Sequence, residues 1–279
     1  MHIGELTIEL LSEGRFELFQ DGHINRASRD APSSLEEEVG QSTMVGINPI
    51  LVQTGPFNLL IDTGLGWGLD AGSSYEDVSN IRTNLEIFGL DTDDITHVIL
   101  SHLHYDHAAG SSFVNEEMRT RPTFANATYF LHQREWEHAV AQAQKPENST
   151  SYRIDELYRL KADKHIRLLK GERTTILEGV TVILSGGHTP GHQIVRLHSG
   201  DESSYYLGDL LPSSLHLNYY GMQRLDTNPI MAKKKKRQLL LDIFQEQAVL
   251  LFYHSKTRQS GRLIRDEDEQ YVLADIAKE

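Results

Sequence analysis

The 279-residue chain contains no cysteine, and that absence removes two classes of chemistry at once. A disulfide framework is excluded, and so are thiolate metal ligands, which leaves His, Asp and Glu as the strong ligands available. Positive charge is also scarce: 27 Lys and Arg stand against 40 Asp and Glu, for a net charge of −13. Phosphate contacts depend on clustered Lys and Arg, so a general nucleic-acid binder is disfavoured and a small-molecule substrate is expected. No apolar run approaches membrane-spanning length, and no membrane partner is expected. The opening Met1-His2-Ile3-Gly4-Glu5 lacks the basic and apolar regions of a secretory signal, from which a cytoplasmic location follows as an expectation. No repeat recurs at a period of 20 to 50 residues, which sets aside solenoids and propellers.

Hydrophobic residues at 39% and charged residues at 24% describe an ordinary globular chain. A chain of this length buries roughly 75% of its unfolded surface, so it needs no structural metal, and any metal present is functional. A single domain over residues 1–279 accommodates it, with a homodimer also compatible.

Short apolar strands predominate at first: 7–10, 15–18, the stretch Val45 to Thr54, and 57–61 after Gly55-Pro56. The polar stretch 21–41 between them is long enough to be a lid or flap. Helical periodicity follows at 80–90, 133–144, 155–164 and 232–246. The strands 95–100, 127–131, 166–169, 180–184, 194–198, 205–207 and 249–253 alternate with those helices. Strands followed by alternating elements, twice over, suit helices packed on two stacked sheets. The run Lys233–Lys236 lies in the last helix and reads as a solvated face without a role.

One segment concentrates chemistry. Ser101-His102-Leu103-His104-Tyr105-Asp106-His107 places four metal-ligating groups within six residues at the end of a buried strand. Extended backbone puts His102 and His104 on one side, and a turn beginning near Asp106 directs Asp106 and His107 to another, so two metals are natural. Four bunched imidazole and carboxylate groups at a strand end are costly without such a purpose. Downstream, His188, Asp209 and His254 each follow an apolar strand. His97, His132, His138, His165, His198 and His216 have no comparable context and read as structural or surface residues.

With H-x-H-x-D-H at 102–107 and the distant His188, Asp209 and His254, the chain resembles the metallo-β-lactamase superfamily over about residues 43 to 255. Leu60-Ile61-Asp62-Thr63-Gly64 matches that superfamily's second-strand turn. The resemblance implies an α/β fold, an αββα sandwich of two mixed β-sheets flanked by helices. It assigns His102, His104 and His188 to one metal and Asp106, His107 and His254 to the other, with Asp209 bridging, and gives Asp62 the task of orienting the ligands. His192, in the turn after His188, is a candidate for a similar supporting role.

Two cations roughly 3.5–4 Å apart can share one hydroxide that is nucleophilic at neutral pH. Asp106 and Asp209 are the catalytic candidates among the ligands. Zinc suits the N/O donor set, with Fe²⁺ or Mn²⁺ as alternatives. Gly208 to Leu217 and Leu251 to Ser255 are most similar to the branch of quorum-quenching N-acyl-homoserine lactone lactonases, which implies lactone ring opening. Those enzymes carry a tyrosine three residues after the bridging aspartate, where this chain has Pro212. Tyr105, Tyr219 and Tyr220 are the candidates to supply a phenol instead, and His216 lies close enough to Asp209 in sequence to line the pocket. A phosphotriesterase or carboxylesterase of the same fold is the alternative, and an iron-dependent oxidoreductase of the same fold is the alternative from another class.

Overall fold

A computed structural model describes residues 1–19, 24–26, 42–66, 80–145, 152, 155–218 and 226–276 of the chain. Two seven-stranded sheets dominate it. In spatial order, the first contains His2–Ile3, Leu6–Leu10, Ile50–Thr54, Phe57–Ile61, His97–Ile99, Thr128–His132 and Ile166–Leu169. Its first four strands pair antiparallel and its last four parallel, so the sheet is mixed. The second contains Arg173–Leu177, Val180–Leu184, Gln193–Ser199, Glu202–Tyr206, Val249–Leu251, Ser260–Arg265 and Tyr271–Ala274, antiparallel except where Glu202–Tyr206 meets Val249–Leu251.

Period-two alternation explains how the layers stack. From the first sheet, Ile8, Ile50, Val52, Leu59, Ile61 and Ile99 face the second sheet's Val180, Val182, Val195, Leu197, Val249 and Leu251 in one buried cluster. The intervening residues Leu51, Leu60, Val98 and Leu100 point outward. They pack against the helices α1 (Ile81–Ile87), α3 (Gln133–Ala143) and α4 (Asp155–Ala162), while a short turn, α2 (Tyr105–Ala108), follows the first ligand loop. On the far side, Ile194, Tyr205, Leu250 and Phe252 meet Ala232, Leu240 and Ile243 of α5 (Pro229–Glu246). The layering is the αββα sandwich expected from the sequence. Strands buried on both faces read as continuous apolar runs, which is why they stand out.

Three sequence expectations need correction. Val45 to Thr54 is two strands: Ser42–Ile47 joins a separate three-stranded sheet with Gly14–Phe19 and Ile24–Arg26, and Ile50–Thr54 enters the first large sheet. Asn48-Pro49 makes the break. Asn48 is fully buried and donates side-chain hydrogen bonds to the carbonyls of Tyr253 (2.6 Å) and Ser255 (2.9 Å), so the backbone leaves one sheet there and enters another. Second, α5 starts three residues before 232, because the Asn228 side chain caps it and Pro229 fits its first turn. Third, Lys236 is buried among the apolar residues of α5, whereas Lys233, Lys234 and Lys235 are exposed. Apart from the strand Ile24–Arg26, the candidate lid at 21–41 lies outside the described residues, as do Tyr219 and Tyr220. Among the described residues no helix is long and apolar enough to cross a membrane.

Candidate metal centre

All seven ligand candidates lie at strand ends or in the loops that follow. After His97–Ile99 the backbone runs extended to His104 (φ −60°, ψ 145°), which is the N-cap of α2. The helical turn then swings Asp106 and His107 away from His102 and His104. His188 sits in the loop after Val180–Leu184, where Gly187 (φ +90°) packs so tightly that an added Cβ would lie 2.6 Å from the Cα of Ala232 in α5. Asp209 stands in a 3₁₀ turn after Glu202–Tyr206, and His254 follows Val249–Leu251.

The structure gathers these residues into two adjoining groups, within each of which the ligand atoms lie no more than 4.8 Å apart: His102, His104, His188 and Asp209, and Asp106, His107 and His254. In the first, Nδ1 of His104 lies 2.9 Å from Nε2 of His102 and 3.1 Å from Nε2 of His188. In the second, Nε2 of His107 and His254 are 3.3 Å apart, and Asp106 Oδ2 lies 3.7 Å and 3.4 Å from them. Donors around a tetrahedral zinc with bonds of about 2.0–2.1 Å are separated by about 3.3 Å, so both groups have the spacing a cation requires. Asp209 faces both. Its Oδ1 is 3.2 Å from Nε2 of each of His107 and His254, while its Oδ2 is 3.4 Å from His188 and 3.9 Å from His102.

The second nitrogen of four imidazoles is already engaged. Nδ1 of His102 meets Ser101 Oγ (3.0 Å), Nδ1 of His107 meets Asp62 Oδ2 (2.8 Å), Nδ1 of His188 meets Asp226 Oδ1 (3.0 Å), and Nδ1 of His254 meets the Gly46 carbonyl (2.9 Å). A proton held on Nδ1 leaves Nε2 as a bare lone pair aimed at its group. Asp209 Oδ1 is buried and receives no hydrogen bond of good geometry among the described residues. Converging lone pairs beside an unsatisfied carboxylate oxygen are what a divalent cation fills, and the residues present fit one in each group.

Electrostatics support the same reading. Burial opposes charge on His102, His104, His107, His192 and His254, and at His102, His104 and His192 it prevails, holding them well below the ordinary histidine value. At His107 and His254 the Asp209 and Asp106 carboxylates overcome burial and raise the value. Burial would raise Asp209 too, but His107 and His254 hold it well below the usual carboxylate range. The positive charge that offsets the carboxylates thus falls on ring nitrogens that a cation would occupy with release of protons.

Asp62 is the principal support. Fully buried and in the left-handed region (φ 58°), it accepts hydrogen bonds from Ser101 N–H (2.6 Å), Ser101 Oγ (2.7 Å), His107 and the Tyr206 hydroxyl. His192 is no ligand: its Nδ1 meets Ser185 Oγ (2.6 Å), and its Nε2 accepts from the Asp209 N–H (3.2 Å), which fixes the backbone of the shared carboxylate. Tyr105 is buried in the core between the sheets, and His216 lies at the edge of the site, hydrogen-bonded to Ser213. Burial, followed by the fields of Lys236 and His254, lowers His216 to about 4.

Three contributors went unnoticed in the sequence. Asp226 backs His188. Glu135, fully buried in α3, accepts from Leu103 N–H (3.0 Å) and from the Thr189 hydroxyl (2.5 Å), so one carboxylate joins the loop of His102 and His104 to the loop of His188. Gly191 keeps that joint closed, since a Cβ there would fall 2.0 Å from the Glu135 nitrogen. Tyr152 lays its ring against His104, with centroids 4.9 Å apart. Their signals are weak because an isolated Asp, Glu or Tyr in a polar stretch acquires a role only through its tertiary neighbours.

The sequence model of the Metallo-beta-lactamase superfamily matches residues 43–254. An N-acyl homoserine lactonase of Bacillus thuringiensis is 25% identical over 167 residues, 57% of this chain and 57% of that protein, so the chain spans little more than half the length of this curated relative. Among solved structures, a probable metal-dependent hydrolase from Staphylococcus aureus aligns over 100% of both chains with a TM-score of 0.75 at 24% identity. The dizinc quorum-quenching lactonase AidC, in complex with a hexanoyl-homoserine product, aligns over 100% of this chain and 97% of its own with a TM-score of 0.77 at 22% identity. At these identities the two structures testify to the fold.

Proposed function

Since the chain belongs to the metallo-β-lactamase superfamily, we propose that it is a metal-dependent hydrolase acting on a lactone of the N-acyl-homoserine lactone class. The observation that carries this reading is the Asp209 carboxylate, whose two oxygens face two separate groups of ring nitrogens. In the first group His102, His104, His188 and Asp209 would hold one divalent cation, and in the second Asp106, His107, His254 and Asp209 would hold another. A pair of such cations supplies a water activated at neutral pH and Lewis acidity toward a carbonyl oxygen.

The chain's own residues set the stage for that chemistry. Asp209 stays ionised between the groups, and His192 holds its backbone still. Asp62, Asp226 and the Gly46 carbonyl hold the lone pairs of His107, His188 and His254 toward the site. Ring opening needs no serine or cysteine nucleophile, consistent with a chain that has no cysteine. The lactone assignment draws on the curated lactonase relative, and Pro212 leaves the phenol of the resembling lactonases without a counterpart at that position.

A panel of acyl-homoserine lactones, aryl esters and phosphotriesters, offered to zinc-reconstituted and metal-stripped protein, tests the proposal. Lactone hydrolysis that appears only with metal is expected. Metal-dependent turnover confined to the phosphotriesters or aryl esters would replace the lactone reading with the esterase one.

A further inference from the structure

The lysine run of α5 hides one residue unlike the others. Lys236 is 4% exposed and shares the buried face of Ala232, Leu240 and Ile243, a costly position for an ammonium that has no specific task. Its Nζ donates to the carbonyl of His216 at 2.7 Å, in the short 3₁₀ turn Ser214–His216 that follows Asp209 and Pro212. Burial lowers Lys236 to about 8, and the field of the Asp226 carboxylate works against that drop. Asp226, its side chain 5% exposed, is in turn the acceptor for Nδ1 of His188. A direct hydrogen bond thus joins α5 to the 214–216 turn that follows Asp209, while the field of Lys236 reaches the carboxylate that holds His188.

We propose that Lys236 is a positioning residue for the group His102, His104, His188 and Asp209: its hydrogen bond ties down the turn that follows Asp209, and its charge acts at longer range on Asp226 behind His188. The inference rests on the reading of that group as metal ligands. A supporting carboxylate orients its imidazole only if it is itself held in place, and groups that support ligands in this way alter metal affinity by about 10–100-fold when removed.

The test titrates zinc into the metal-stripped full chain against a chelating indicator, with the melting temperature of the stripped protein recorded in parallel. The variants are Lys236→Gln, which keeps a donor but loses the charge, Lys236→Met, Lys236→Arg and Asp226→Asn. Wild-type protein is expected to take up two zinc ions. Lys236→Gln and Lys236→Met are expected to weaken one of them about 10-fold or more while sparing the other, and Lys236→Arg to restore it. Combining Lys236→Gln with Asp226→Asn is expected to cost less than the sum of the two single changes, because part of the effect of the lysine runs through Asp226. Zinc affinities unchanged in Lys236→Gln and Lys236→Met, with only a lowered melting temperature, would overturn the proposal and leave the lysine a purely structural part. If Lys236→Met does not fold, the Gln and Arg variants decide. Wild-type protein that binds no zinc would instead remove the underlying metal reading.

Discussion

Replacing Asp62 by Asn tests how the ligand set is oriented. Oδ2 of Asp62 accepts from three donors at once, Ser101 Oγ, His107 Nδ1 and the Tyr206 hydroxyl, while Oδ1 accepts from Ser101 N–H. Asparagine has nearly the same shape but only one acceptor oxygen. If that oxygen stays with Ser101 N–H, an NH₂ group confronts three donors. The two hydroxyls can rotate, but His107 can adapt only by moving its proton from Nδ1 to Nε2. That removes the lone pair from the group of Asp106, His107 and His254. A buried donor left without an acceptor costs about 1–3 kcal/mol, which sets the expected loss of stability in the metal-stripped chain. Loss of the correct tautomer should weaken the second zinc by about 10–100-fold, with little effect on the one held by His102, His104 and His188. Chelator-competition titration measures the two affinities, and nitrogen NMR of the imidazoles reports the tautomer of His107. A variant that binds both zinc ions as wild type does, with His107 still protonated at Nδ1, would refute the reasoning.

Further outcomes follow from other buried groups. Glu135→Ala should leave Leu103 N–H and the Thr189 hydroxyl without their acceptor and loosen the zinc of the first group by about 10-fold or more, measured in the same titration; unchanged affinity would show that the two loops do not need their common carboxylate. Glu13 is fully buried, and burial raises it from 4.5 to about 8 against hydrogen bonds from the backbone of Leu65 and Ile81. Below 4.5 both the folded and unfolded chains carry its proton; between 4.5 and 8 only the folded chain does, so stability falls as pH rises and levels off above about 8. Glu13→Gln cannot titrate, so its stability relative to wild type should climb across that window by on the order of 5 kcal/mol in urea unfolding, and a difference that stays flat with pH would contradict the assignment. Tyr152→Phe keeps the ring against His104 and removes the hydroxyl, so kcat or KM for the turned-over substrate should shift while zinc affinity holds; unchanged kinetics would mean the residue only packs.

The ligand loop could be read in the sequence because its signal is local. Four side chains able to ligate a metal crowd the end of an apolar strand, and the extended-then-turned backbone at His104 divides them between two groups. His188, Asp209 and His254 were recognisable because each also follows a buried strand. Both sheets showed through strands apolar on both faces. Strands at or next to the edges of the second sheet did not: Arg173–Leu177, Ser260–Arg265 and Tyr271–Ala274 are only partly buried, and the first two carry charged residues that dilute their alternation. The same limit hid Glu135, Asp226 and Lys236. Nothing in the isolated run Lys233–Lys236 distinguishes its last member, and only the packing of α5 onto the second sheet turns that ammonium inward. Ligands are legible because several chemically rare groups cluster, whereas each residue that holds them is one ordinary side chain placed by distant parts of the chain.

The most direct measurement is an anomalous-scattering map, collected at the zinc edge, from crystals of the zinc-loaded protein. Two peaks about 3.5–4 Å apart are expected, one bound by His102, His104 and His188, the other by Asp106, His107 and His254, with Asp209 touching both. No peak at these residues, or a single peak that leaves either group without metal, would contradict a two-metal centre.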